Sequence, residues 1–271
     1  MKIHPSAIVS PEAELGTDIE IGPFCIVESD VRIADRCRLV AHVNVRAGTT
    51  LGCDTIVYEG AVLGGYPQHT STPKHPGKIV IGERNVLREH VTVHRAMRHG
   101  EETRIGDDCL LMVGSHVAHD CRVDNRVILT NGVMLGGHVE VGERACLGGN
   151  VAVHQFCRIG RLAMVGGCTK VVQDVPPFVL TDGATALIVG LNSVGLRRAG
   201  FDRQQIFELK AAYRLIYRKG LTFRDTIVAL EQQFPQGFAS EFADFFRRSA
   251  RVCSRTSPPT THGIASPSSR R

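Results

Sequence analysis

The segment VGSHVAHDCRV, residues 113–123, places two imidazoles and a carboxylate close together in the chain. These groups belong to His116, His119 and Asp120. A neutral imidazole, with an ordinary pKa near ~6.5, can accept a proton from an attacking hydroxyl group, so a histidine here is a candidate general base. Imidazoles and carboxylates also bind zinc, so a metal site is the second chemistry that these residues suit.

An aliphatic repeat must position these side chains. From residue 3 to residue 171 there are 29 positions spaced six apart; 26 hold Ile, Leu or Val, and the exceptions are His69, His75 and His99. Such a hexad is typical of a parallel β-helix, in which three hexads close one triangular coil and stacked coils bury the aliphatic row. The sequence therefore predicts an all-β parallel β-helix over residues 1–186.

The composition excludes several protein classes. The nine cysteines contain no C-x-x-C pair, which argues against a zinc ribbon. The first residues lack an apolar signal-peptide core, and no run approaches ~20 apolar residues, so we expect a cytoplasmic protein without membrane insertion. The net charge of +5 gives a mild preference for acidic partners, and nothing indicates nucleic-acid binding. Five cysteines occupy small core positions of the hexad: Cys25, Cys37, Cys109, Cys121 and Cys157.

Two segments interrupt the hexad, which resumes in phase after each. Residues 64–80 contain Pro67, Pro73 and Pro76, which cannot donate to a sheet ladder, and residues 97–104 form a shorter interruption. We predict that both are loops projecting from the coil. Loops that leave a regular scaffold often carry function.

The C-terminal part of the sequence changes to a helical period. We predict a helical domain over residues 187–252, with Asp202 and Thr222 as helix N-caps. Residues 253–271 are rich in Ser, Pro and Thr and lack aromatic residues, so we predict a disordered tail.

The length of the coil predicts which distant residues are neighbours. Residues eighteen apart should lie on adjacent coils, so His119 should lie beside Gly137, and Gly137 beside Gln155. One surface histidine needs no explanation, but four within three coils beside glycines indicate a site. The predicted cluster consists of His116, His119, Asp120, Gly137, His138, His154 and Gln155.

Acyl transfer suits this cluster better than zinc chemistry. Carbonic anhydrases built from hexapeptide repeats carry an H-x4-H pair, whereas the spacings here are His90-x3-His94 and His116-x2-His119. A histidine base beside a glycine can instead activate a hydroxyl group for attack on a thioester, while the glycine amide binds the oxyanion.

Eight motifs, in order, resemble the bacterial acyl-carrier-protein:UDP-N-acetylglucosamine O-acyltransferases from about residue 3 to residue 250. The motifs are IGPFCIV, VTVHR, HVAHDC, GGHV, AVHQFCRIG, MVGGC, VVQDVPPFV and GLRRAGF. The resemblance implies a homotrimer of left-handed β-helices with active sites between neighbouring copies. It implies transfer of a 3-hydroxyacyl group from acyl carrier protein to the 3-hydroxyl of UDP-N-acetylglucosamine, the first step of lipid A biosynthesis. It implies no resident cofactor or metal, because phosphopantetheine arrives on the carrier.

The resemblance also implies roles for particular residues. His119 matches the general base, Asp120 its acidic partner, and Gly137 the backbone amide that stabilises the oxyanion. Adjacent residues of an extended chain face opposite sides, so periodicity alone does not place Asp120 beside His119. The positions that match contacts to the sugar, diphosphate and nucleotide are His94, His116, His138, His154, Gln155, Asn192 and Arg198.

Two differences from the family pattern affect the acceptor. His69 and Ser71 stand in the sugar-binding loop where the family has Asp and Lys, and Val194 replaces a Glu near the nucleotide. The ordinary UDP-sugar remains the expected acceptor, with a 3-amino analogue as the alternative.

A column of small residues is the expected acyl-chain groove. Asn131, Gly149 and Gly167 lie eighteen residues apart, and the position of Gly167 matches a family residue whose size limits acyl length. Because glycine leaves no side chain to block the groove, we expect a long 3-hydroxyacyl donor. The alternative is that these glycines only permit a tight corner of the coil.

Other functions remain open at this stage. The related N-acyltransferases carry an extra domain before the β-helix, acetyl-CoA-dependent enzymes of this fold use smaller donors, and β-helices also serve as non-catalytic scaffolds. A basic stripe predicted on one helix face suits an acidic carrier protein. The stripe consists of Arg203, Lys210, Arg214 and Arg218.

Overall fold

Each side of the predicted triangular coil is formed by a short strand, and the strands stack into three parallel sheets around one core. The structure, a computed structural model, describes residues 1–249 and shows a left-handed β-helix followed by helices, as predicted. The hexad aliphatics point inward: Val117, Leu135 and Val153 are all at most 4% exposed.

The three sheets are named A, B and C in the order in which the chain first enters them. Sheet A contains Lys2–Ile3, Glu20–Ile21, Arg38–Leu39, Ile56–Val57, Val86–Leu87, Leu110–Leu111, Ile128–Leu129, Cys146–Leu147, Met164–Val165, Val179–Asp182 and Leu187–Leu191. Sheet B contains Ile8–Val9, Ile26–Val27, Asn44–Val45, Val62–Gly65, Thr92–His94, His116–Val117, Met134–Leu135, Ala152–Val153 and Lys170–Val171. Sheet C contains Glu14–Leu15, Val31–Ile33, Thr49–Leu51, Lys78–Ile81, Glu102–Ile105, Arg122–Val123, Glu140–Val141 and Arg158–Ile159.

The pairing register follows the eighteen-residue coil where no loop intervenes, except in the last coil, where Val165 pairs with Thr181 sixteen residues on. Val117 pairs with Leu135, which pairs with Val153. The two interruptions lengthen their coils without changing the side of the triangle on which the next strand lies. The first leaves the coil after Gly65 and returns at Lys78, and the second leaves after His94 and returns at Glu102.

The corners of the coil carry residues in the left-handed backbone region, most of which are not glycine. Asp120, His138 and Phe156 have φ values of 61°, 60° and 64° and form one column along the corner between sheets B and C. This conformation costs a non-glycine residue roughly 1–2 kcal/mol, so the stacked ladder and core of each coil must hold it in place. The hexad pattern alone did not predict this feature.

Helices follow the last strands of sheet A. The predicted start of the helical domain at residue 187 is wrong: Leu187–Leu191 is a strand that pairs antiparallel with Val179–Asp182, and the first helix begins at Ser193. The helices are α1 (Ser193–Arg198), α2 (Arg203–Arg218), α3 (Phe223–Gln233) and α4 (Glu241–Arg248), with a 3-10 turn at Phe238–Ser240. Both predicted N-caps are confirmed: Asp202 forms a capping box with Gln205, and Thr222 accepts from the Asp225 amide. The predicted tail, 253–271, lies outside the described residues.

The five cysteines predicted for the core are buried, as expected from their position in the hexad. Burial raises the pKa of Cys121 to about 12 and the pKa values of Cys37 and Cys109 to about 11, so these thiols are poor nucleophiles. Among residues 1–249, no helix has the length and apolar character needed to cross a bilayer.

Candidate active site

His119 and Asp120 form a hydrogen-bonded pair at the corner between sheets B and C. Nδ1 of His119 lies 2.7 Å from Oδ2 of Asp120, and both side chains are at most 9% exposed. Adjacent side chains share one side here because Asp120 has a positive φ, which breaks the alternation of an extended chain. His119 is off the aliphatic row, as predicted, yet it is buried rather than free of packing.

The second loop and sheet C hold Asp120 in place. The Met97 amide donates to Asp120 Oδ1 at 3.2 Å, and the Asp120 amide donates to Thr103 Oγ1 at 2.8 Å. A carboxylate can only accept, so we assign the proton of a neutral His119 to Nδ1. Nε2 then keeps a lone pair and is the atom that can act as a base.

Gly137 lies against the imidazole of His119 on the next coil. A Cβ atom at residue 137 would be 2.5 Å from His119 Cε1 and 2.7 Å from Nε2, so only glycine leaves room for this ring. The Gly137 carbonyl accepts from the Phe156 amide at 3.0 Å, and no backbone acceptor within residues 1–249 takes the Gly137 N–H. The glycine whose amide could serve as a donor thus lies against the Cε1–Nε2 edge of the base.

Four further histidines surround this pair. The ring centroid of His119 lies 5.3 Å from that of His138 and 6.0 Å from that of His69, both edge-on. His94 and His116 form a second edge-on pair with centroids 5.1 Å apart. The structure therefore brings His69 and His94, from the coils that carry the loops, close to His116, His119 and His138 of the regular coils.

His94 and His116 are neutral groups in this site. Burial, together with the nearby imidazoles of His94 and His119, lowers the pKa of His116 to about 4. Burial also lowers the pKa of His94. Near neutral pH these rings therefore offer polar contacts without a positive charge.

Three supporting residues escaped sequence reasoning. Thr92 Oγ1 lies 2.8 Å from His116 Nδ1, the Tyr66 carbonyl contacts His94 Nδ1, and Thr103 bonds Asp120. Thr92 and Tyr66 were not predicted because a loop separates each of them from its histidine in the chain, so the eighteen-residue spacing does not relate the two partners.

The remaining predicted residues lie apart from the His119–Asp120 pair. His154 and Gln155 are exposed at the same corner, one coil beyond Gly137. Asn192 is the N-cap of α1, where it accepts from the Gly195 amide and donates to the Leu162 carbonyl, so its side chain has a structural role. Arg198 is exposed in the last turn of α1.

The predicted acyl column lies on a different corner, between sheets A and B. Backbone contacts stack Asn131, Gly149 and Gly167 as the coil length predicted. Sheet B separates this column from His119 within one chain.

Three side chains could hold a metal ion. One ligand atom from each of His119, Asp120 and His138 lies within 4.8 Å of the other two. The spacing argument against zinc considered histidines within one segment, and it missed this group because its members come from two adjacent coils.

Comparison with known proteins gives consistent matches along the chain. Residues 102–137 match a model described as bacterial transferase hexapeptide (six repeats), and residues 174–253 match one described as Udp N-acetylglucosamine O-acyltransferase, Domain 2. The curated acyl-[acyl-carrier-protein]–UDP-N-acetylglucosamine O-acyltransferase of Halorhodospira halophila is 45% identical over 233 residues, which cover 86% of this chain and 90% of that protein.

Solved structures with the same name superpose on nearly the whole chain. The UDP-N-acetylglucosamine acyltransferase of Bacteroides fragilis has a TM-score of 0.90 at 34% identity, covering 93% of this chain and 100% of the other. That of Francisella novicida has a TM-score of 0.91 at 31% identity, covering 95% of each.

Proposed function

This chain belongs to the acyl-carrier-protein–UDP-N-acetylglucosamine O-acyltransferase family, and we propose that it transfers a 3-hydroxyacyl group from acyl carrier protein to the 3-hydroxyl of UDP-N-acetylglucosamine. This reaction is the first step of lipid A biosynthesis in the family. The observation that carries the proposal is the buried His119–Asp120 pair beneath Gly137. No resident cofactor is needed, because the carrier brings the thioester, and we place the reaction in the cytoplasm.

The proposed chemistry begins with proton transfer to His119. Nε2 of His119 accepts the proton of the sugar hydroxyl as its oxygen attacks the thioester carbonyl. Asp120 keeps the ring oriented through Nδ1 and stabilises the imidazolium that forms. The imidazolium then returns the proton to the leaving thiolate of phosphopantetheine, so the enzyme ends the cycle unchanged.

The Gly137 amide is the proposed oxyanion donor. Negative charge develops on the carbonyl oxygen in the transition state, and a fixed N–H beside the base stabilises that charge without reorganising. The neutral rings of His94 and His116, with His138, His154 and Gln155, are the proposed polar contacts to the sugar and diphosphate. Asn192 and Arg198 remain proposed nucleotide contacts.

A homotrimer is part of the proposal. Sheet C points charged side chains of both signs outward, including Arg104, Arg122 and Glu140, whereas the middle of sheet A points half-buried apolar side chains outward. An apolar outer face favours contact with another copy. Such a contact can bring the acyl column of one copy beside the His119 corner of the next. The apolar residues of sheet A are Ile56, Val86, Leu110, Ile128, Cys146 and Met164.

The decisive assay compares donors. Purified protein should acylate UDP-N-acetylglucosamine from 3-hydroxyacyl-acyl carrier protein, detected as the acyl-sugar product by mass spectrometry, and should be much slower with acetyl-CoA. Preference for acetyl-CoA would assign the chain to a different donor class. Absence of turnover by a folded trimer with either donor would support a non-catalytic scaffold.

Helix α2 offers the proposed docking face for the carrier. Arg203, Lys210 and Arg214 share one face with Phe207, whose side chain is 62% exposed. We expect Lys210→Glu combined with Arg214→Glu to lower kcat/KM for the acyl carrier donor at least about tenfold at low salt, mainly through slower association.

The control for this prediction is Arg224→Glu, which changes an exposed charge on a different helix, α3. Initial rates should be measured across donor concentrations and ionic strengths. Equal losses in both charge variants, or a salt dependence that matches the wild type, would remove α2 from docking.

Gly167 is the proposed limit on acyl length. A Cβ at residue 167 would approach the Gly149 carbonyl oxygen to 3.3 Å, so the backbone there must shift by a few tenths of an ångström to admit a side chain. Gly167→Met should extend along the column and move the preferred donor to chains several carbons shorter. Rates across a series of acyl-carrier-protein thioesters measure the optimum; an unmoved optimum in a folded variant would make Gly167 only a coil corner.

A 3-amino UDP-sugar is the alternative acceptor. His69 replaces an acidic residue of the family pattern and lies edge-on to the ring of His119, and Val194 is exposed on α1 where the pattern has Glu. If these residues mark a changed pocket, the amino analogue should compete with the hydroxy sugar in mixed-substrate assays. A strong preference for the ordinary sugar would show that both substitutions leave acceptor choice unchanged.

A further inference from the structure

Asp120 lies between two imidazoles that belong to adjacent coils. Its Oδ2 is 2.7 Å from His119 Nδ1 and 3.6 Å from His138 Nε2. Two nitrogen donors and one carboxylate form a ligand set that catalytic and inhibitory zinc sites use, with a fourth position open to water. We propose that Zn²⁺ binds reversibly to His119, Asp120 and His138 and inhibits the enzyme.

Both distances from Asp120 need changes of less than about 1 Å to accept the ion, and the ligand atoms of His119 and His138 lie within 4.8 Å of each other. Zinc bonds to nitrogen and oxygen are about 2.0–2.2 Å long, so tetrahedral ligands lie roughly 3.3–3.5 Å from one another. The His138–Asp120 distance of 3.6 Å is already close to this value, and the His119–Asp120 distance must open by several tenths of an ångström. The side chain of His138 is 39% exposed, which leaves its ring room to adjust.

A cavity connects this group to solvent. The cavity, of about 540 Å³, opens onto Asp120 and His138, and three further carboxylates line it: those of Glu101, Glu102 and Glu140. Arg122 lies in the same lining, and the three glutamates pair with Arg98, Arg104 and Arg158 at 3.9, 3.3 and 3.2 Å. The cavity therefore supplies access from solvent to the ligand group, while the charges of its glutamates are paired.

Zinc would inhibit by changing the tautomer of the base. In the free enzyme the His119 proton is on Nδ1, and Nε2 has the lone pair that accepts the substrate proton. A zinc ion on Nδ1 replaces that proton, which moves through solvent to Nε2. The ring remains neutral, but Nε2–H is then a donor and cannot accept a proton from the hydroxyl. The proposed inhibition thus rests on the proposed function, whereas zinc binding does not.

Titration calorimetry with ZnCl₂ tests the binding directly, using the trimer without substrates. We expect one site per chain in the wild type. The zinc affinity of His138→Asn should be at least about tenfold lower, since removing a residue that only hydrogen-bonds a metal ligand already lowers metal affinity by about 10–100-fold. His42→Asn removes an exposed histidine that stacks on Phe24 in an early coil, so it should bind zinc like the wild type.

A second measurement separates binding from activity. With acyl-transfer substrates, micromolar Zn²⁺ should lower the rate, and a chelator should restore it. Equal zinc affinity in the wild type and His138→Asn, both folded by circular dichroism, would overturn the site. Zinc binding that requires His138 but leaves turnover unchanged would overturn the inhibition alone. Binding by a protein without acyltransferase activity would support the site and contradict the proposed function.

Discussion

His119→Ala should lower kcat/KM by about 10²–10⁴-fold, because loss of a general base removes the group that accepts the hydroxyl proton. The fold should survive the change. His119 lies outside the aliphatic row, and its recorded hydrogen bond is to Asp120, which keeps its contacts to the Met97 amide and Thr103 when the imidazole is removed. The loss should therefore appear in catalysis rather than in assembly.

Initial rates with 3-hydroxyacyl-acyl carrier protein measure the effect, and thermal unfolding with size-exclusion chromatography checks the fold. His42→Ala is the matched control, because it removes an exposed imidazole at the surface of an early coil. A correctly assembled His119→Ala protein that keeps near-wild-type turnover would exclude His119 as the base.

The strict period of the coil explains why much of this site was predictable. Val117, Leu135 and Val153 pair in register, so the eighteen-residue step correctly placed Gly137 beside His119. The aliphatic row determines the side of the triangle on which each residue lies. Motifs that are eighteen residues apart in the chain therefore lie on the same side of adjacent coils and could be predicted as one cluster.

The orientation of Asp120 was not predictable by the same step. Its side chain reaches His119 only because the corner residue adopts a positive φ, a conformation usually associated with glycine. The anchors of Asp120 were also hidden. Met97 belongs to a loop outside the repeat, so no fixed spacing relates it to the site. Thr103 lies in the strand that follows the loop, on the coil next to Asp120, and its bond depends on the orientation of the Asp120 amide at the corner.

Gly137→Ala tests how closely the base and the oxyanion donor must fit. The new methyl group would lie 2.5 Å from His119 Cε1 and 2.7 Å from Nε2, distances that require the imidazole or the coil to move. Gly137 does not have a positive φ, so alanine adds no backbone strain of its own. A displacement approaching 1 Å at reacting groups costs on the order of 10²-fold in rate. We therefore expect kcat to fall about 10²-fold.

Separate measurement of kcat and KM shows whether the variant impairs the chemical step or donor binding. The carrier docks away from this corner in our proposal, so the KM for the acyl donor should change little while kcat falls. Gly190→Ala is the control, because a Cβ there meets no atom within 4 Å among the described residues. If Gly137→Ala keeps full kcat, the ring can shift without loss and the contact between Gly137 and His119 does not set the catalytic geometry. If kcat falls with the trimer intact, glycine at residue 137 is required because the base occupies the space that any side chain would need.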